Sequence, residues 1–374
     1  MYSESDLAGA VEAGAISPEA AAALRNHVAA SKSTPTVDEE SFRLLTGFND
    51  IFVGIAAILI LVAVGWIGFY IGGKIVGLEH GAEGPRQVGV AAAFGGFAVS
   101  ITSWLLAEYF TRQRRMALPS ILLLLGFAGG FFTGIGAVWG ANAPWLAEQF
   151  NLTTDLQQQQ LAGVIGIFTG VATAAATWVH WRRFMVPITV AVGALALVAV
   201  AVGAITAFVP GSEEALNPML LIAGALVFVF AMRWDMSDRD RRTRRSDVAF
   251  WLHLAAAPLI AHPIFHMLGV FDGDIGVPMA GVVIALYIVF AGVALAVDRR
   301  ALLVSSLVYV LWAMYALFEQ SGAVELAAAL TALVIGSALL TLSAFWQPMR
   351  RQVIGLLGKD LEERLPPTQQ LALA

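Results

Sequence analysis

The feature that most constrains this chain is its alternation of long apolar blocks with short polar breaks, together with the sign of the charge in each break. The blocks lack the period-two alternation of barrel strands, and runs of about 18 or more apolar residues are membrane-spanning helices. At about 20 residues per crossing, they fall at 50–73, 88–109, 118–140, 161–181, 187–209, 218–234, 248–271, 276–297, 301–318 and 324–346. The fold class expected is therefore all-α: a polytopic helical bundle of about ten spans.

Lysine and arginine test that partition. With the N-terminus inside, the inner breaks collect Arg112, Arg114 and Arg115, then Arg182 and Arg183, then Arg233 to Arg245, then Arg299 and Arg300. Of 22 basic residues, only Lys74 and Arg86 fall on the outer side. Cytoplasmic loops attract such an excess, and a missed or invented span would invert every later loop. Both termini are thus expected in the cytoplasm. The outer breaks carry the opposite sign, with Glu213 and Glu214 in one and Asp272 and Asp274 in another.

Composition agrees. Hydrophobic residues make up 58% and charged residues 13%, too little charge to coat a soluble globule of this size. Cysteine is absent, which excludes disulfides, thiolate metal ligation and a cysteine nucleophile. The first 49 residues are polar with no secretory signal pattern, so the first span is expected to direct insertion.

Three regions follow: a cytoplasmic helical hairpin and linker at 1–40, the bundle at 41–346, and an amphipathic helix and tail at 347–374. In the hairpin, Gly14 suits a helix stop, and Ser17 and Pro18 suit the cap and first position of the next helix. Leu7 and Val11, and Leu24 and Val28, would let the two helices close on each other. So small a unit buries little area alone. A cytoplasmic protein partner, or self-association through this hairpin, is expected beside the lipid bilayer itself. In the terminal helix, Val353, Leu357, Leu361 and Leu365 recur at four-residue steps and define an apolar face expected to lie along the inner leaflet or to pack on the N-terminal hairpin.

Few residues suggest chemistry. Span 7 holds His253, His262 and His266. At 100° per residue, His262 and His266 share a face and His253 lies opposite, unless Pro258 and Pro263 kink the helix. His262 reads as the deepest ionisable group of any span. With Asp272 or Asp274, the pair His262 and His266 is the candidate metal or proton site, since imidazole and carboxylate together suit a transition metal. The alternative is that these histidines bond carbonyls freed by the two prolines or face the outer interface. No metal identity follows, and no cofactor is expected.

Gly126, Gly130 and Gly134 in span 3, and Gly166 and Gly170 in span 4, have the four-residue spacing that lets helix backbones approach. Packing is favoured over a flexing gate, with span 3 as a central, tightly packed helix. The cluster Arg239, Arg241, Arg242, Arg244 and Arg245 suits anionic lipid head groups or a topology anchor. Glu108 precedes Arg112 by four residues, the favourable order for an ion pair. No carboxylate falls near the middle of a span, which counts against a proton- or sodium-driven pump. Asp272-Gly273-Asp274 is similar to part of an aspartyl protease motif, but the preceding glycine and a second catalytic Asp are missing. No zinc-protease, nucleophile-elbow or phosphate-loop motif occurs, and nothing suggests binding of nucleic acid.

The stretch LAGAVEAGAISPEAAAAL, followed by FRLLTGFNDIFVGIA and by WLHLAAAPLIAHP in span 7, resembles a group of bacterial polytopic membrane proteins of unassigned function that carry a short soluble hairpin ahead of their spans. The resemblance implies a bacterial inner-membrane protein and carries over no catalytic residue. The functional expectation is a non-enzymatic scaffold or sensor component. The alternatives are a transporter or channel for a small solute, and a histidine–metal intramembrane enzyme.

Overall fold

A computed structural model describes residues 11–24, 48–77, 84–239, 241, 243–270, 276–320, 322, 325–358 and 365. The described residues are helical with no strand, and ten of the helices are long and apolar enough to cross a membrane. They are α1 (Phe48–Ile75), α2 (Pro85–Ala107), α3 (Ala117–Gln149), α4 (Asp155–Phe184) and α5 (Ile188–Phe208). After them come α6 (Leu216–Met236), α7 (Arg244–Met267), α8 (Val277–Val297), α9 (Ala301–Gln320) and α10 (Ala327–Ala344). A shorter helix, α11 (Trp346–Leu357), closes the series.

Of the expected outer break at 141–160, only 150–154 lies outside a helix. Polar residues extend both helices past the apolar block because their ends are capped locally. Thr154 accepts from the Gln157 amide at 3.3 Å, and Gln157 Oε1 accepts from the amides of Thr153 and Thr154 at 3.0 and 3.1 Å. This reciprocal pair satisfies orphan donors at the start of α4. Asn151 turns the chain with φ of 51°.

Helices α1, α2 and α3 pack together, α3 leads to α4 and α4 to α5, and α5 reaches α7. Helix α7 touches α5, α6 and α9, while α8 lies against α9 and α11. Of α7's most apolar window, 56% is buried, against 33% for α3. Helix α7 is thus the most buried of the ten, while α3 packs against α1, α2 and α4. Alanines make this possible: Ala249, Ala255, Ala256, Ala257 and Ala261 are all buried, on several faces of α7.

The glycines act where two backbones meet. A Cβ on Gly96 of α2 would stand 2.6 Å from the Gly134 nitrogen and 2.7 Å from the Gly130 oxygen, and one on Gly130 would stand 2.6 Å from the Gly96 oxygen. Gly126 faces Ser103 and Leu61, and Gly170 abuts Val200 of α5. Gly166 has open space beside it, so it is not a packing residue.

Of the N-terminal unit, residues 11–24 are described. Gly14 has φ of 68°, and Ser17 Oγ accepts from the Ala20 amide at 3.1 Å, as a helix stop and an N-cap do. Leu7 and Val28, and with them the closure of the hairpin, lie outside the described residues. In α11 the stripe buried against the bundle is Trp346, Arg350 and Ile354. Leu357 is exposed, Leu361 lies outside the described residues, and Leu365 is buried. What draws Trp346 and Arg350 inward is ionic and lies at one end of the bundle.

Candidate functional site: a buried ionic network at the arginine-rich end

The C-terminal turn of α6 ends in Trp234-Asp235-Met236. Asp235 is 2% exposed. A carboxylate so placed requires partners, because an unpaired buried charge is far costlier than a paired one. It has two. Arg299, at the corner between α8 and α9, grips it with both Nε and Nη2, the Nε at 3.2 Å. His253 of α7 places Nε2 2.9 Å from Asp235 Oδ2. Arg299 Nη2 also donates to the Ser246 carbonyl at 3.2 Å and to its hydroxyl at 3.3 Å. His253 is fully buried and Arg299 is 3% exposed. Two spans and one interhelical corner thus meet on one carboxylate.

Next to it stands a second hub. Asp298 terminates α8 in the left-handed conformation, with φ of 59°. Its carboxylate accepts from Arg241 Nη1 at 2.9 Å and from the Trp346 indole at 2.7 Å, and Arg350 Nε lies 3.7 Å away. Arg241 Nη2 donates to the carbonyls of Val297 and Asp298 at 3.3 and 2.9 Å. Those carbonyls are among the acceptors left over at a helix C-terminus, where a cation is favoured. Arg241 also has positive φ, 54°, so two strained residues hold one another. Arg350 is 1% exposed, and burial pushes its pKa down while Asp298 opposes that shift. The same carboxylate thereby docks α11 and turns Trp346 and Arg350 inward.

A third charge pair sits under the first half of the bundle. Glu108, in the π-helical turn that continues α2, accepts from Arg183 Nε and Nη2 at 2.8 and 3.0 Å and from Arg112 at 3.3 Å. The i, i+4 pair expected from the sequence is present, but the tighter contact joins two spans.

The residues expected from sequence are distributed differently. His262 and His266 are exposed on the surface of the bundle, whereas His253 and His180 are buried within it. His262 Nδ1 lies 2.9 Å from the Tyr309 hydroxyl, and His266 Nδ1 lies 3.1 Å from Asn217 Nδ2. Neither bond goes to a carbonyl freed by Pro258 or Pro263, and α7 runs unbroken through both prolines. Asp272 and Asp274 lie outside the described residues. Among the described residues, no three metal-ligating side chains are gathered to hold an ion.

The arginine cluster divides. Arg241 turns inward to Asp298, Arg239 donates to the Leu365 carbonyl at 2.9 and 3.2 Å, and Arg244 and Arg245 are exposed. Arg242 lies outside the described residues. Arg241 is thus engaged within the protein rather than presented to lipid head groups.

Two buried groups were missed from the sequence. Asp235 follows directly on an apolar block and reads as a solvated span end. The signal that could have found it is the pairing of a carboxylate at the end of one span with a histidine on the opposite face of the next. His180 is 1% exposed and its two ring nitrogens make no hydrogen bond among the described residues. Trp104, Phe127 and Phe184 enclose it, with ring centroids 5.9, 5.2 and 4.6 Å away. An unsatisfied buried polar group costs about 1–3 kcal/mol, so this arrangement requires an explanation.

No protein-family model, curated protein or solved structure matches the chain.

Proposed function

We propose that this chain is a non-enzymatic scaffold or sensor of the bacterial inner membrane, crossing it ten times with the arginine-rich end and both termini in the cytoplasm. The observation that carries the reading is the ionic network. Its carboxylates and guanidiniums are engaged with one another, and they fasten α6, α7, the α8–α9 corner and α11 together at one end of the bundle. An ion-coupled transporter instead uses an ionisable group partway across the membrane that changes partners. The orientation rests on the distribution of basic residues, and the bacterial setting on the resemblance of the hairpin and the spans that follow it. Residues 18–24, with their capped start, are the contact offered to a cytoplasmic partner or to a second copy.

A photo-crosslinking amino acid at Leu24 in intact cells tests this reading. One discrete adduct, with a single protein or with a second copy, is the expected result. Saturable flux of a small uncharged solute through liposomes containing only this protein would overturn it in favour of transport.

A further inference from the structure

We propose that the flank formed by α2 and α3 binds a flat-ringed, membrane-soluble carbonyl compound of the quinone class, with His180 as the hydrogen-bond partner of a ring oxygen. The inference goes beyond the scaffold or sensor reading and stands without it. A groove of about 290 Å³ opens on this flank, walled by Phe97, Ile101, Trp104 and Leu105 of α2 and by Phe127 and Phe131 of α3. The α2 residues, with Ser100, recur at helical three- and four-residue steps and so form one stripe. Ligand sites are built in this way, from apolar and aromatic walls with a few polar groups. Aromatic walls favour a flat ring in stacked or edge-to-face contact.

The polar group is His180. Trp104 and Phe127 belong to both the groove wall and the ring cage around His180. They are the partition between the groove and an imidazole whose donor and acceptor are both unused among the described residues. A neutral imidazole offers one N–H and one lone pair, which suits a quinone carbonyl or the hydroxyl of its reduced form. Binding requires Trp104 to turn aside so that a ring in the groove meets the imidazole. The direction of the groove also fits an amphiphile. One turn beyond Trp104 and His180, the Glu108–Arg183 pair closes the arginine-rich end. Ile101 and Phe97 lead the other way, along the lipid-facing length of α2. The ring is therefore held near the membrane boundary and the tail lies in the hydrocarbon.

The test uses the full-length protein in phospholipid nanodiscs with decyl-benzoquinone as probe and decylbenzene, which lacks the oxygens, as control. Saturable binding of one quinone per chain is expected, above the partitioning into empty nanodiscs. It should weaken about tenfold or more, the equivalent of one hydrogen bond, in His180→Phe. It should weaken similarly in Leu105→Trp, which fills the groove from an exposed position and leaves the core intact should His180→Phe fail to fold. His262→Ala should leave binding unchanged. Absence of saturable binding, equal binding of decylbenzene, or unaltered affinity in Leu105→Trp or in a folded His180→Phe would each overturn the proposal.

Discussion

Between α2 and α3 the opposing groups are backbone atoms, and a methyl on Gly96 would meet the Gly134 nitrogen at 2.6 Å. Between α6, α7 and the α8–α9 corner the opposing groups are charges, with Asp235 held by Arg299 and His253. Both regions face the same difficulty: lipid is as apolar as leucine, so burial alone does not bring helices together. The first region answers with close approach and dispersion over a long seam. The second answers with a few directional contacts at one end. The two should therefore fail in opposite ways, one when an atom is added and the other when a charge is removed.

The largest effect is expected on the ionic side. Asp235→Ala strands Arg299 and His253 in a buried setting, and breaking a buried pair costs about 3–5 kcal/mol. Unfolding titrations in mixed detergent micelles measure it, and a loss under 1 kcal/mol (roughly the worth of an exposed pair) would show that the network is solvated. On the packed side, Gly96→Val forces side-chain atoms against backbone that cannot rotate away, and overpacking of this kind costs about 1–3 kcal/mol. Gly166→Ala is its control. With open space at that position, the change should be neutral or stabilising by at most about 1 kcal/mol, through helix propensity.

Between these regions and α11, Asp298→Asn keeps the shape of the hub and removes its charge. A loss of about 1–3 kcal/mol is expected, since hydrogen bonds to charged groups lie in that range. Aqueous quenchers should then reach Trp346, which is 2% exposed in the native protein. The smallest effect is expected for the double change His262→Ala, His266→Ala. Both rings are exposed, bonding to Tyr309 and Asn217, and surface changes stay within about 0.5 kcal/mol.

Much of the fold was legible because hydropathy and charge sign are read locally. Each apolar block became one helix, and the basic residues gathered in alternate breaks. The end of α3 and the start of α4 were not legible, because polar residues such as Gln157 extend a helix as readily as they end a span once a cap satisfies the first turn. The inward stripe of α11 was not legible for a related reason. Leucine spacing marks its apolar face, but the burial of Trp346 and Arg350 depends on Asp298, 48 and 52 positions earlier.

The site was less legible still. The placement of His253 opposite His262 and His266 follows from 100° steps, and α7 kept it. Its partner Asp235 lies one residue past the apolar block and 64 positions before Arg299, so only the folded chain brings them together. His180 stands beside Trp181, Arg182 and Arg183 and reads as part of a span end. Its enclosure by Trp104, Phe127 and Phe184 depends on three spans meeting.

The central claim is that Asp235 and Arg299 hold the second half of the bundle as a coupled pair. A double-mutant cycle tests it most directly, with unfolding free energies for Asp235→Leu, Arg299→Leu and the combined variant. Each single change should cost about 3–5 kcal/mol and the double change much less than their sum, because replacing both buried charges by apolar groups removes the stranded partner. Strict additivity of the two losses would contradict the account.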